Sequence, residues 1–325
     1  MPRLASTDYE STHRYFVDGS PMSADIQGGT TWKTILVGGF NKGGKGYYAL
    51  DITNPEAPVG LWDTSSISTM GLSFGKPMIS KMPDGTWAVF LTSGYNNADG
   101  KGRVYILNAN DGSMIDTLTT TGSGLKELNN FVTDNTTTLF YGGDVEGNVW
   151  RFQWDYDISR YTMKKVVQLT SSGGVAQPIT TRIELVQGQA GGSLPRILVA
   201  TGKLLGINDL TSTSQQTIYG FDDTENGFSS GVSLRSTLKE SVLEDVTAAN
   251  GTRTRRLRCA SATNICSDST KGWFVELPTT GERVNIDLRL AGATLVVSSN
   301  IPSNEPCVSG GTGWINYLNY QSGGP

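Results

Sequence analysis

The sequence has one histidine, three cysteines and few charges, and each scarcity removes a class of function. His13 is the only imidazole among 325 residues. A multi-histidine zinc site is therefore excluded, and a Ser-His-Asp triad would have to be built on that residue. Cys259, Cys266 and Cys307 contain no CxxC pair, which excludes a zinc ribbon and a thioredoxin-type motif. Cys259 and Cys266 bracket a short polar segment. A disulfide between them would close a loop of about eight residues and add about 2.5 kcal/mol in the chain-entropy treatment. The alternative is three free thiols, and pairing would require an oxidising compartment. No apolar run approaches the roughly 18 residues of a membrane helix, so no membrane span is expected. Charged residues make up 17% and the net charge is −4, which argues against a nucleic-acid partner held through phosphates. The opening MPRLASTDYESTH is polar and is no signal peptide. Two readings follow: a cytosolic protein, or an internal piece of a longer exported one.

Glycine is abundant, with 40 residues, and it punctuates short β-branched and aromatic runs that read as strands. Four of these runs share one plan: an apolar strand, a small-residue pair, a Gly/Asn/Asp loop and a second strand. They are ILVGG (35–39) with YYALD (47–51), and VFLTSG (89–94) with VYILN (104–108). LFYGG (139–143) with VWRF (149–152) and ILVATG (197–202) with TIYGFD (217–222) complete the set. Their starts lie 54, 50 and 58 residues apart, near a kelch-type period. A hairpin with one apolar face cannot bury it alone, whereas radially stacked blades bury every face and protect their edges. The expected fold is all-β, a modified propeller with irregular blades, in preference to a β-sandwich.

Residues 231–246 carry both periods. Leu234, Leu238 and Val242 lie at helical spacing, yet the same residues alternate with Ser236, Glu240 and Glu244. The strand reading is preferred, because RTRRLR (253–258) follows a turn at 249–251 and makes a hairpin return. The propeller is placed at 1–300, with 301–325 as a docked tail rich in aromatics. Asp144 and Asn148 around Gly147 are read as Asx caps of a tight hairpin. Asn96, Asn97 and Asp99 are assigned to a turn, Asp222, Asp223 and Glu225 to a solvated loop, and Arg253, Arg255, Arg256 and Arg258 to an exposed strand face.

Longer phrases narrow the field. HRYFVDGSP (13–21), LVGGFNKGGKGYYALDITNP (36–55), SFGKP (73–77), DGTWAVFLTSGYNN (84–97), YGGDVEGNVWRF (141–152), QPIT (177–180) and GWFVELPTTGERV (272–284) stand in this order. Together they resemble the C-terminal β-propeller domain of the PilY/PilC family of type IV pilus biogenesis factors and tip-associated adhesins of Gram-negative bacteria. The resemblance implies an incomplete piece of that family domain from a large exported protein, located at the outer membrane or pilus tip. It also implies a non-enzymatic role in pilus assembly, adhesion and twitching motility. The implied partners are pilins or minor pilins and a host or abiotic surface.

The family carries a calcium loop just before the YxGDxxGNxWRF phrase. Setting Tyr141 on the family's Tyr puts its positions at Asn130, Val132, Asp134 and Thr138. Val132 offers no side-chain oxygen and only Asp134 is charged, so the loop is expected to be degenerate and any Ca2+ weakly held. A family RGD sequence is absent from this chain. A second reading is a pyrroloquinoline-quinone dehydrogenase, because ALDITNPEAPVGLWD (49–63) is similar to the tryptophan-docking phrase of those propellers. The adjacent cysteine pair that often accompanies that chemistry is absent. A third is a generic sensor or assembly propeller.

Overall fold

The computed structural model describes residues 14–188, 194–259, 271–303 and 310–325. His13, Cys266 and Cys307 lie outside them. Cys259 is disulfide-bonded; Cys266 and Cys307, the sequence's other cysteines, lie outside the described residues. The chain separates into two compact units. One runs to Leu128 and includes Val132–Thr138; the other comprises Asn129–Phe131 and the chain from Leu139 onward.

In the first unit, strands β1 (Met22–Gly28), β2 (Thr31–Gly39), β3 (Tyr47–Asp51) and β4 (Val59–Asp63) form an antiparallel sheet in sequence order. β5 (Met78–Lys81), β6 (Trp87–Thr92), β7 (Arg103–Asn108) and β8 (Met114–Thr119) repeat that arrangement. One core joins them, with Ile26, Ile35, Val37, Val89, Leu91, Tyr105 and Leu107 all essentially buried. Each such side chain removed from water contributes about 1.5–3 kcal/mol.

The small-residue pairs at strand ends have a steric cause. A Cβ at Gly94 (φ +61°) would lie 1.8 Å from the Leu72 carbonyl oxygen, so no side chain fits there. The tryptophan-docking phrase also has a packing role. Trp62 donates its indole N–H to the Ala109 carbonyl at 3.2 Å, and its ring lies against Gly112 on the β7–β8 turn.

Strands β9 (Leu128–Thr133) and β10 (Thr136–Gly143) follow. Beyond Leu139, β10 pairs with β11 (Asn148–Asp155), which pairs with β12 (Arg160–Gln168). The next sheet holds β13 (Glu184–Val186), β14 (Arg196–Ala200) and β15 (Thr217–Asp222). The short helix α1 (Gly231–Arg235) comes next in the chain, before β16 (Lys239–Thr247), β17 (Arg253–Cys259) and β18 (Gly272–Glu276). β18 lies between β15 and β16, antiparallel to the former and parallel to the latter. The last sheet is β19 (Arg289–Ala291), β20 (Thr294–Ile301) and β21 (Thr312–Asn319). The four repeated hairpins of the sequence are thus β2–β3, β6–β7, β10–β11 and β14–β15.

The segment at 231–246 differs in part from expectation. Residues 231–235 are helical, because Ser230 accepts the Ser233 N–H as an N-cap and Leu234 turns into the core. The strand reading holds from Lys239, with β16 and β17 in antiparallel register from Ser241↔Cys259 to Thr247↔Arg253. The aromatic stretch near the C-terminus forms β21, and its continuation packs on Trp273. The Trp273 indole donates to the Tyr320 carbonyl at 2.9 Å, and Gly323 lies over the ring.

Candidate functional site

The β10–β11 hairpin turns on Gly147, whose φ is +81° and where a Cβ would come 2.6 Å from the Gln177 carbonyl oxygen. That turn folds Asp144 back over its own loop. The carboxylate is fully buried and accepts from the Glu146 and Asn148 backbone N–H groups at 3.0 Å each. It also accepts from Asn148 Nδ2 and, at 2.8 Å, from the Trp150 indole. The Asx-cap reading of Asp144 and Asn148 is therefore correct, and the cage additionally recruits Trp150. Burial raises the Asp144 pKa above the ordinary aspartate value, and the surrounding donors only partly offset that rise.

Asp144→Asn is expected to cost about 2–3 kcal/mol, because an amide NH2 would face donors in the cage. An acid with a raised folded pKa adds stability below its unfolded pKa and loses it as pH rises through the folded one. The advantage of wild type over Asp144→Asn should therefore shrink from acidic to neutral pH, as read by urea unfolding across that range.

Behind the hairpin lies a second buried carboxylate: the expectation of a solvated loop fails for Asp223, while Glu225 is exposed. Asp223 Oδ2 accepts from Tyr141 Oη at 2.7 Å and from Arg151 Nη1 at 2.9 Å. Arg151 also donates to the Thr224 and Glu225 carbonyls. Burial raises the Asp223 pKa, opposed by Tyr141 and Arg151. Tyr141 is pushed well above the usual phenol range, first by burial and then by the neighbouring charge. The loop is an ion site because its acid meets a strand residue 72 positions away in sequence. Next to it, the fully buried Arg196 binds Asp222 at 2.6 Å and the Gln321 carbonyl at 2.8 Å.

The basic run of β17 is also corrected. The Arg255 residue is half-buried and its side chain is largely covered, its guanidinium bidentate to Glu282 at 2.6 and 3.0 Å and bonded to Asp245 at 2.7 Å. Its Cζ lies 4.5 Å from the Trp314 ring centroid. Arg258 pairs with Glu244, and Arg256 is exposed. By contrast, Asp99 serves its turn as expected, held by both terminal nitrogens of Arg103.

The residues aligned with the calcium loop sit on the hairpin between β9 and β10. Asp134 and Asn135 have φ of +52° and +59°, the backbone of a type I′ turn. Asp134 and Thr138 are exposed, and the Asn130 backbone N–H bonds to Asn129 Oδ1 at 3.0 Å. The donor set is thus one carboxylate with amide and hydroxyl oxygens. Among the described residues, no group of three or more His, Cys, Asp or Glu side chains stands ready for a metal. This chemistry does not fit a tightly held calcium ion, which takes six to eight oxygens. No helix among the described residues is long and apolar enough to cross a membrane.

Comparison with known proteins agrees with this architecture. A sequence profile of the PilY1 β-propeller domain matches residues 1–254. The type IV pilus biogenesis factor PilY1 of Pseudomonas aeruginosa PAO1 is 28% identical, over all of this chain and 32% of its own length. A PilY1 homologue of Xylella fastidiosa Temecula1 is 30% identical, over all of this chain and 27% of its own. The chain thus spans about a third of the length of these curated relatives. The crystal structure of the P. aeruginosa PilY1 C-terminal domain superposes with a TM-score of 0.76 at 25% identity, covering 97% of this chain and 73% of that one. The all-β propeller expectation is met.

Proposed function

The chain belongs to the PilY1 β-propeller domain family, and from that premise we propose that it acts in type IV pilus biogenesis as a non-enzymatic scaffold and binding module. The observation that carries this reading is the match of the whole chain to pilus biogenesis factors, with a shared propeller fold. Work is done by contact. The buried Arg151–Asp223 pair ties β11 to the loop after β15, and a preorganised scaffold presents loops to partners at low entropic cost. The partners are pilins or minor pilins and a host or abiotic surface. The site of action is the outer membrane or the pilus tip, as part of a longer exported protein. The test is deletion of the encoding gene in its host, scored for surface pili and twitching. Loss of both, restored by the wild-type gene, is the expected result; normal piliation in the deletion strain overturns the assembly role.

At the aligned loop Asp134 is the one charged ligand a calcium ion would have. Binding is expected in the range of about 10⁻⁴–10⁻³ M, that of weak extracellular modules. Titration calorimetry should give this weak isotherm for wild type and none for Asp134→Ala. Equal binding by the two proteins would place the ion elsewhere.

A further inference from the structure

Two Asn-x-Thr triplets occur in the sequence, Asn135-Thr136-Thr137 and Asn250-Gly251-Thr252, and neither has proline in the middle. The pattern is that of an N-linked glycan acceptor: the asparagine amide is the nucleophile and the hydroxyl two residues on is read by the transferase. Both groups must therefore be reachable at once. The first triplet fails this condition. Thr137 is fully buried and its hydroxyl donates to Ser80 Oγ at 2.7 Å. The Asn135 carbonyl in turn accepts from the Ser80 hydroxyl at 2.8 Å and the Lys81 N–H at 2.9 Å.

The second triplet meets it. Asn250, Gly251 and Thr252 are exposed, on the loop that joins β16 to β17. The Ala248 N–H donates to the Thr252 carbonyl and the Gly251 N–H to the Ala248 carbonyl, each at 2.9 Å. With Gly251 at φ +82°, this is a short hairpin loop closed by a glycine bulge. Across it the Thr252 N–H donates to Asn250 Oδ1 at 3.0 Å. That Asx turn holds the side-chain amide against the residue whose hydroxyl must be read. Asn250 Nδ2 and the Thr252 hydroxyl themselves make no hydrogen bond among the described residues. Space is open as well, since a Cβ placed on Gly251 would meet nothing within 4 Å.

We infer that Asn250 is an acceptor for N-linked glycosylation, taking its sugar from a donor activated as a sugar diphosphate. Asn250 Nδ2 forms a bond to the anomeric carbon of the sugar. The bond from that carbon to the diphosphate oxygen breaks, the diphosphate leaves with the electron pair, and Nδ2 gives up one proton. Nothing is oxidised or reduced. A nucleotide and a membrane lipid can each carry the diphosphate, and both present the same leaving group. The acceptor stands apart from the pilus reading, because it rests on the geometry of one hairpin tip and on no partner of the propeller.

The test is peptide mass spectrometry of the protein purified from its host. The peptide with Asn250 should carry the added mass of a hexose or N-acetylhexosamine, localised to that residue by fragmentation, and the peptide with Asn135 should carry none. Asn250→Gln and Thr252→Ala should each abolish the addition, and Thr252→Ser should retain it. All three changes fall on an exposed loop, so the fold is kept. Two further arms separate the donors. Unglycosylated protein is incubated with host soluble extract and UDP-glucose, or with host membranes. Addition in the first arm assigns a nucleotide-linked donor, and addition in the second a lipid-linked one. The proposal is overturned if residue 250 shows no addition or only the small mass gain of deamidation. It is equally overturned if Thr252→Ala leaves the glycan in place, or if Asn135 is the residue modified.

Discussion

Arg151→Met is expected to lower stability by about 3–5 kcal/mol, the typical cost of stripping one partner from a buried ion pair. Asp223 would keep only the Tyr141 hydroxyl and its own loop backbone as partners, in a site from which water is excluded. The size of the loss comes from the stranded charge rather than from the bond itself. Two further measurements separate these causes. The double variant Arg151→Met/Asp223→Asn should recover part of the loss, since no charge is then left buried. The defect should also depend on pH. Losing Arg151 raises the Asp223 pKa further, and an acid with a raised folded pKa loses its stabilising contribution as pH rises through that value. The difference from wild type should therefore grow from acidic to neutral pH. Urea unfolding at several pH values reads both effects, and a pH-independent defect would refute the stranded-charge account.

Arg255→Met should be similarly severe, at about 3–5 kcal/mol. Glu282 lies at 1% exposure, its oxygens bound by Arg255 and by the Ser299 hydroxyl. Arg255 additionally covers Trp314, so the substitution also removes a cation–π contact of about 0.5–2 kcal/mol, within the stated range. Arg255→Lys keeps the charge but cannot form the two-pronged bond while reaching Asp245, and should fall between wild type and Met. Arg256→Met, on an exposed neighbour in the same strand, should change stability by less than about 0.5 kcal/mol. A chemical denaturation series on these variants checks the order. Equal effects at positions 255 and 256 would restore the reading of the run as a solvated face.

Features carried by short spacing were legible from the residues alone. The hairpins at β2–β3, β6–β7, β10–β11 and β14–β15 follow from apolar alternation, small-residue pairs and turn glycines within a few positions of each other. The Asp144–Asn148 cap closes over four residues, and its phrase, with the others in order, was enough to point to the family. Local period also left one honest ambiguity at 231–246, where both readings proved true in turn. Ser230 caps a single helical turn that ends before β16 begins.

Which charges are solvated and which are locked inside depends on long-range contacts made when the chain folds. Asp223 and Arg255 look like ordinary surface residues in sequence, since a loop acid and a charged strand normally face water. Their burial depends on partners 72 and 27 positions away, and no local pattern encodes such a meeting. The contacts of Arg283 have the same origin. Arg283 is buried because its guanidinium reaches back some 70–80 positions to the Lys203, Asp209 and Ser212 carbonyls.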